Sequence, residues 1–184
     1  MAAERGGAGG GGGGDGCASL IPQVVPEAQG EFKPTGAIQL KSFGASFDGA
    51  RVISPSITLS RRTDGSWGGR FALAGSGDPQ AIDVSVTPTA ARGVDFVMVR
   101  DEPKPGLTVI SGTFKRSNFR FELSRDAFNV HTTRVGFELG GRNEQSDGSV
   151  TYGPDGRLLL TGDAAKLDEL AWPQLGFALI AAFY

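Results

Sequence analysis

Sulfur and imidazole are nearly missing from this chain: 184 residues include one cysteine, Cys17, and one histidine, His131. A single cysteine leaves no intrachain disulfide, so packing alone must hold the fold, as is usual in a reducing compartment. So few soft ligands exclude a zinc site of the ordinary kind, and serine or cysteine triad chemistry would have to be built on His131. No metal and no cofactor is expected.

Positive charge is also short. Eighteen Lys and Arg stand against twenty Asp and Glu, a net charge of -2. Nucleic-acid affinity rests on several cations neutralising phosphates together, so no nucleic-acid partner is expected. The longest stretch dominated by apolar residues, Leu175 to Tyr184, has half the length a membrane helix needs. Ten residues could cross a membrane as a barrel strand, but two Tyr and two Trp cannot supply the aromatic girdles of such a barrel. The first twenty residues hold no apolar segment of the secretory kind. A cytoplasmic protein without a membrane span is the expectation.

Glycine, by contrast, is abundant at the start. Residues 1–19 are rich in it, cost much backbone entropy to order and offer nothing to bury, so they read as a disordered tail. No Lys-Ser/Thr follows that would make a phosphate loop. Residues 20–184 then form one domain. Pro22, Pro26 and Pro34 keep its opening extended, as a strap across the surface.

From there the period is two, the signature of strands with one face buried. Phe119, Phe121 and Leu123 alternate with Asn118, Arg120 and Glu122. Ile38 and Leu40 show the same alternation, as do Ile53, Ile57 and Leu59, then Phe71 and Leu73. Ile82, Val84 and Val86 continue it, followed by Val94, Phe96 and Met98, and by Val135, Phe137 and Leu139. Phase slips between Leu40 and Phe43 and between Val109 and Ile110 suggest bulges or corners. Asp48-Gly49, Asp64-Gly65, Asp147-Gly148 and Asp155-Gly156 have the chemistry of tight turns between antiparallel strands. With no helix-period segment between strands, parallel pairing is not expected. The fold class is all-β: a single antiparallel β-barrel or jelly-roll-like sandwich of about ten strands, without repeats.

One short helix is expected over DAAKLDELA, with Asp163 as its cap and Pro173 as its stop. The uncharged LGFALIAAFY that follows reads as a final strand. Both of its faces are apolar, one side carrying Leu175, Phe177, Leu179 and Phe183, the other Ala178, Ile180 and Ala182. Both need cover, from the core and from the helix, the strap or a second subunit; hence a homo-oligomer.

Four residues stand out as candidates for gripping a ligand. His131 and Thr133, in phase with Val135, Phe137 and Leu139, would point inward. Asp95 interrupts the apolar VDFVMV, either at an exposed edge or in a pocket that would raise its pKa. Trp67 follows a glycine-flanked turn and could stack on a ring or fold over its own sheet. Tyr152 offers a polar handle. The paired acids are adjacent in sequence and do not converge on one atom, and Pro154 defeats a calcium-loop reading of NEQSDGS.

Two functional classes survive. One is a non-catalytic binding or assembly module engaging a small hydrophobic molecule or a second copy of the chain. The alternative is a cofactor-free isomerase or cyclase acting on a hydrophobic substrate within a barrel, with His131, Asp95 or Tyr152 orienting it.

Overall fold

The alternating segments form a closed wall in the computed structural model, which describes residues 30–41, 43–72, 78–115, 117–134, 142–163, 167 and 171–184. In chain order the strands are β1 (Gly36–Leu40), β2 (Phe43–Phe47), β3 (Arg51–Ile53), β4 (Ile57–Arg61), β5 (Trp67–Phe71), β6 (Gln80–Thr87) and β7 (Ala90–Gly93). They continue with β8 (Phe96–Lys104), β9 (Leu107–Phe114), β10 (Ser117–Leu123), β11 (Ala127–Arg134), β12 (Arg142–Tyr152) and β13 (Leu158–Gly162), before helix α1 (Ala171–Phe183). Each strand pairs antiparallel with the next. The ring closes where β1 runs parallel to β13, with Gly36 opposite Leu158 and Leu40 opposite Gly162. Parallel pairing, not expected from the sequence, follows from the odd number: when direction alternates, the thirteenth strand runs like the first.

There are more strands than the expected ten or so because some apolar runs are broken by turns. Ile53 and Leu59 fall on different strands: Ser54 Oγ accepts hydrogen bonds from the backbone N–H of Ser56 (3.2 Å) and Ile57 (2.9 Å) and turns the chain between β3 and β4. The slip between Leu40 and Phe43 is likewise a turn, joining β1 to β2. At Val109 and Ile110 the strand is continuous, both being buried on opposite faces of β9; the register shift lies between Asp101 and Lys104 instead. Three Asp-Gly pairs occupy turns, Gly65 and Gly156 with φ of 83° and 76°. Asp147-Gly148 does not: it lies inside β12, paired with Asn129 and Phe128 of β11, because the partner strand continues past it.

In the β4–β5 turn, Asp64 accepts hydrogen bonds from the Ser66 hydroxyl (2.6 Å) and the Ser66 N–H (2.9 Å). These bonds hold its carboxyl below the usual carboxylate range. A depressed folded-state pKa adds stability above the ordinary carboxylate value and loses it as pH falls through the lowered one. Asp64→Asn is therefore expected to lower stability slightly at neutral pH and not in strong acid, read from urea unfolding midpoints at two pH values.

The inner face of the wall is apolar: Ile38, Phe47, Leu59, Phe71, Val84, Met98, Ile110, Phe121, Val130 and Leu160 are all buried. The outer face carries Arg70, Asp83, Arg92, Asn118, Arg120, Gln145 and Asp147, in strands where the inward neighbours are apolar or small. This inverts the pattern of a membrane barrel, whose apolar band faces outward. Among the described residues no helix is long and apolar enough to cross a membrane.

Gly112 has a positional reason. A Cβ there would run into the Val97 carbonyl oxygen and lie 2.8 Å from the Met98 Cα, both of the neighbouring strand. Gly112→Ala is expected to cost about 1–3 kcal/mol through displaced backbone, measurable by chemical denaturation.

The C-terminal segment corrects the sequence reading most. Residues 171–183 form a helix, not a strand, and Pro173 sits in its first turn, where a missing N–H costs no bond. The segment has four alanines and two leucines against one β-branched residue, Ile180, a composition that favours helix. Within the expected helix over DAAKLDELA, Leu167 forms a bend and Ala171 opens α1, while residues 164–166 and 168–170 lie outside the described set. Residues 1–29, Leu73 and Val135 to Leu139 also lie outside it. The described end of the strap is held by Arg51, which donates to the Gly30 and Glu31 carbonyls at 2.9 Å each.

Eight strands already enclose a space that side chains can fill, so thirteen leave a surplus, and α1 occupies it. Every residue from Ala171 to Ala181 is buried. The apolar faces that required cover are covered by this chain's own wall.

Candidate functional site

Ring contacts fix how α1 sits. Trp172 stacks on Phe43 (4.7 Å between centroids) and Phe183 on Phe47 (4.7 Å), so the helix runs alongside β2 in the same direction. Phe177 stacks on Phe96 of β8 (4.2 Å, 3°) and tilts against Phe114 of β9. A Cβ on Gly176 would come within 2.7 Å of Ile57 Cδ1, so the helix backbone lies close to β4. Tyr184 ends the run edge-on to Trp67 (5.7 Å), with the Arg61 guanidinium 4.1 Å from its ring centroid.

With about 100° between successive residues, these contacts map the helix onto the ring: Trp172 and Phe183 face β2, Gly176 faces β4, and Phe177 faces β8 and β9. Gln174 lies about 60° beyond Phe177, toward β10 and β11. Ala178 and Ala171 follow, so the side of α1 turned toward β11 and β12 is built of small residues, and Leu175 comes next, toward β13.

Gln174 is the anomaly. It is 0% exposed, and neither Oε1 nor Nε2 has a hydrogen-bond partner. Five polar residues are buried among those described: Ser60, Ser117, Thr132, Ser146 and Gln174. Ser60 faces outward, between the inward Leu59 and Arg61 positions of β4. The other four face inward, and three of them lie on adjacent strands. Ser117 of β10, Thr132 of β11 and Ser146 of β12 each sit one pleat off the level of the last, since Thr132 pairs with Phe119 and Ser146 with Val130. Diagonal neighbours of this kind stand about 7–8 Å apart. The hydroxyls lie toward the end of the barrel where β10 begins and β11 finishes, the end at which α1 enters. Ser146 Oγ donates to the Asp163 carbonyl, which ties β12 to the chain leaving β13. The interior thus has one polar corner, formed by hydroxyls on the wall and an unpaired amide on the plug. Chemically it can donate and accept hydrogen bonds in a dry place.

Comparison with protein-family models, with curated proteins and with solved structures finds no match. The site therefore has to be read from its own geometry.

The residues singled out in the sequence are not brought together. His131 faces outward, contrary to expectation: Phe128, Val130 and Thr132 fill the inner phase of β11, leaving His131 between Arg120 and Gln145 on the outer surface. Its Nε2 is nevertheless buried and unpartnered. Thr133 shares that outward phase. Asp95 is exposed in the turn between β7 and β8, where its carbonyl accepts the Lys115 N–H at 2.7 Å. Tyr152 ends β12 at 69% exposure. Trp67 alone lies inside, 1% exposed, its indole N–H without a partner at the far end of α1 from Gln174. It neither folds over an outer sheet face nor forms an open stacking platform.

Gln174 escaped the sequence reading because the final apolar segment was begun one residue later and given a period of two. The available signal was a lone amide in a thirteen-residue stretch without charge.

Proposed function

We propose that this domain is a non-catalytic binding module that holds one small, mostly apolar molecule between the small-residue side of α1 and the wall of β10–β12. Gln174 carries the reading. A buried amide with neither atom paired costs about 1–3 kcal/mol, and leucine would fill a similar volume without that cost. An unsatisfied buried group in a native fold calls for an explanation, an ordered water or a functional role among them, and Gln174 is the one side chain here with both a donor and an acceptor unpaired. The apolar wall would take the body of the guest and the polar corner its head.

The isomerase or cyclase alternative draws less support from this geometry. His131 and Asp95 lie on the outside of the wall and in a turn, Tyr152 at a strand end, and general acid–base work needs such groups within reach of one substrate. The case for a second subunit rested on the uncharged C-terminal segment, which the barrel itself now encloses.

Native mass spectrometry of the full chain tests the proposal. The expected spectrum shows one small molecule per chain, retained from expression or taken up from added decanol, and released on denaturation. A bare mass that persists after incubation with decanol would overturn it.

A further inference from the structure

We propose that the end of the barrel opposite Gln174 holds a separate site for an aromatic carboxylate, whose ring takes the place of the Tyr184 ring and whose carboxylate accepts from the Trp67 indole N–H. Gln174 and Tyr184 lie roughly 15 Å apart along the axis of α1, so this site is distinct from the polar corner.

Trp67 carries the inference. Its side chain is 1% exposed and its Nε1–H has no hydrogen-bond partner. An indole nitrogen only donates, so what it lacks is an acceptor. The Tyr184 ring, edge-on at 5.7 Å, supplies at most the weak acceptor that an aromatic face is.

Arg61 stands directly opposite Trp67 in the β4–β5 ladder, in the same inner phase, and residues so paired have Cβ atoms about 4.5–5.5 Å apart. Its guanidinium lies 4.1 Å from the Tyr184 ring centroid and forms no ion pair among the described residues. The acids on the flanking strands and turns have donors of their own. Asp48 has Arg51 and the Ala50 N–H, Asp64 has Ser66, and Asp83 has Arg62. Two donors, one of them charged, therefore touch the same ring without an anion for either.

Tyr184 is held lightly. It follows the last residue of α1, is 38% exposed, and its N–H donates to the Ile180 carbonyl at 3.0 Å. Rotation of its side chain opens a slot lined by guanidinium and indole. A ring entering that slot regains the cation–π and ring contacts that Tyr184 gives up. A carboxylate on the ring adds a charge-assisted bond from the indole N–H, and the nearby guanidinium offsets the hydration the anion loses.

Three probes separate these contributions: 2-naphthoate, 2-naphthamide and octanoate, titrated at neutral pH into the full chain by calorimetry and by NMR of the indole N–H signals. The chain has two tryptophans, and Trp67→Phe assigns their signals by deleting one. Naphthoate is expected to bind most tightly and to shift the Trp67 signal, with the amide and octanoate each weaker by about threefold or more. Arg61→Met should weaken naphthoate by about threefold or more, and more than it weakens the amide. Tyr184→Ala should tighten naphthoate by about threefold or more, because no ring has to be displaced. Both substitutions are at exposed residues, so they carry the test should Trp67→Phe not fold.

Equal or tighter binding of the amide or octanoate, a naphthoate affinity unmoved by Arg61→Met, or one unmoved or weakened by Tyr184→Ala overturns the assignment. A shift of the Trp172 signal in place of that of Trp67 places the probe at the other end of α1 and overturns it too. Absence of naphthoate binding does the same and leaves Trp67 Nε1 bonded to an enclosed water only. None of these results bears on the guest beside Gln174, which is read from retained or added molecules in native mass spectrometry.

Discussion

Phe177→Ala is expected to lower the free energy of unfolding by about 3–5 kcal/mol, the range for emptying a fully buried phenylalanine site. The size follows from where the ring sits. Phe177 is 0% exposed, lies flat on Phe96 with 4.2 Å between centroids and leans on Phe114. It belongs to the plug, and the two rings it touches belong to the wall. Removing it opens a void that neither side can close alone, because α1 is also held by the Trp172–Phe43 and Phe183–Phe47 stacks. Stacked aromatic pairs add about 0.5–1.5 kcal/mol beyond the area they bury, which favours the upper part of the range. Urea or guanidinium denaturation measures the effect. A loss under about 1 kcal/mol would mean that α1 does not rest on β8 and β9.

Gln174→Leu is expected to do the opposite and stabilise the ligand-free protein by about 1–3 kcal/mol, the cost recovered when an unpaired buried group is replaced by an apolar one of similar shape. Few single substitutions in a core raise stability at all. The measurement is a melting temperature or denaturation midpoint on protein freed of any guest by unfolding and refolding. A fall would show that the amide is bonded in the ligand-free state. A gain in stability accompanied by a loss of guest binding in native mass spectrometry is the trade expected where a residue serves a guest at the expense of the fold.

Much of the wall was legible from the chain. Phe119, Phe121 and Leu123 point inward as their spacing required, and so do Ile82, Val84 and Val86, because a half-buried strand must alternate. Turns at Asp64-Gly65 and Asp155-Gly156 followed from glycine's tolerance of positive φ, and the turn at Asp48-Gly49 from the bond that the Asp48 carboxylate accepts from the Ala50 N–H. Asp147-Gly148 had the same chemistry and lies in a strand, because ladder pairing with β11 outweighed a local preference. His131 was misplaced by carrying a phase backward from Val135; the residues that set the phase of β11 are Phe128 and Val130.

The plug was the larger miss. A stretch of ten residues with Leu, Phe, Ile or Ala in eight positions satisfies either period, since a helix surrounded on all sides and a strand covered on both faces make the same demand for apolar side chains. What decides between them is the number of strands, and therefore the width of the lumen, a global property that no local window contains. The candidate site inherited that blind spot. Gln174 acquires its meaning only from being inside, on the side of α1 turned toward the strands that carry Ser117, Thr132 and Ser146.

The seam between β1 and β13 sets the order of assembly. Residues 36–40 pair with residues 158–162, so the ring cannot shut until residue 162 has been made, and α1 follows it. During synthesis the earlier strands leave the ribosome as an open, curling ribbon whose oily side still lacks the element that will line it. The lumen is occupied by the piece made after it, and the native state is reached only once α1 has followed the closing strand, slowly in keeping with the distance along the chain that the closing contacts must bridge.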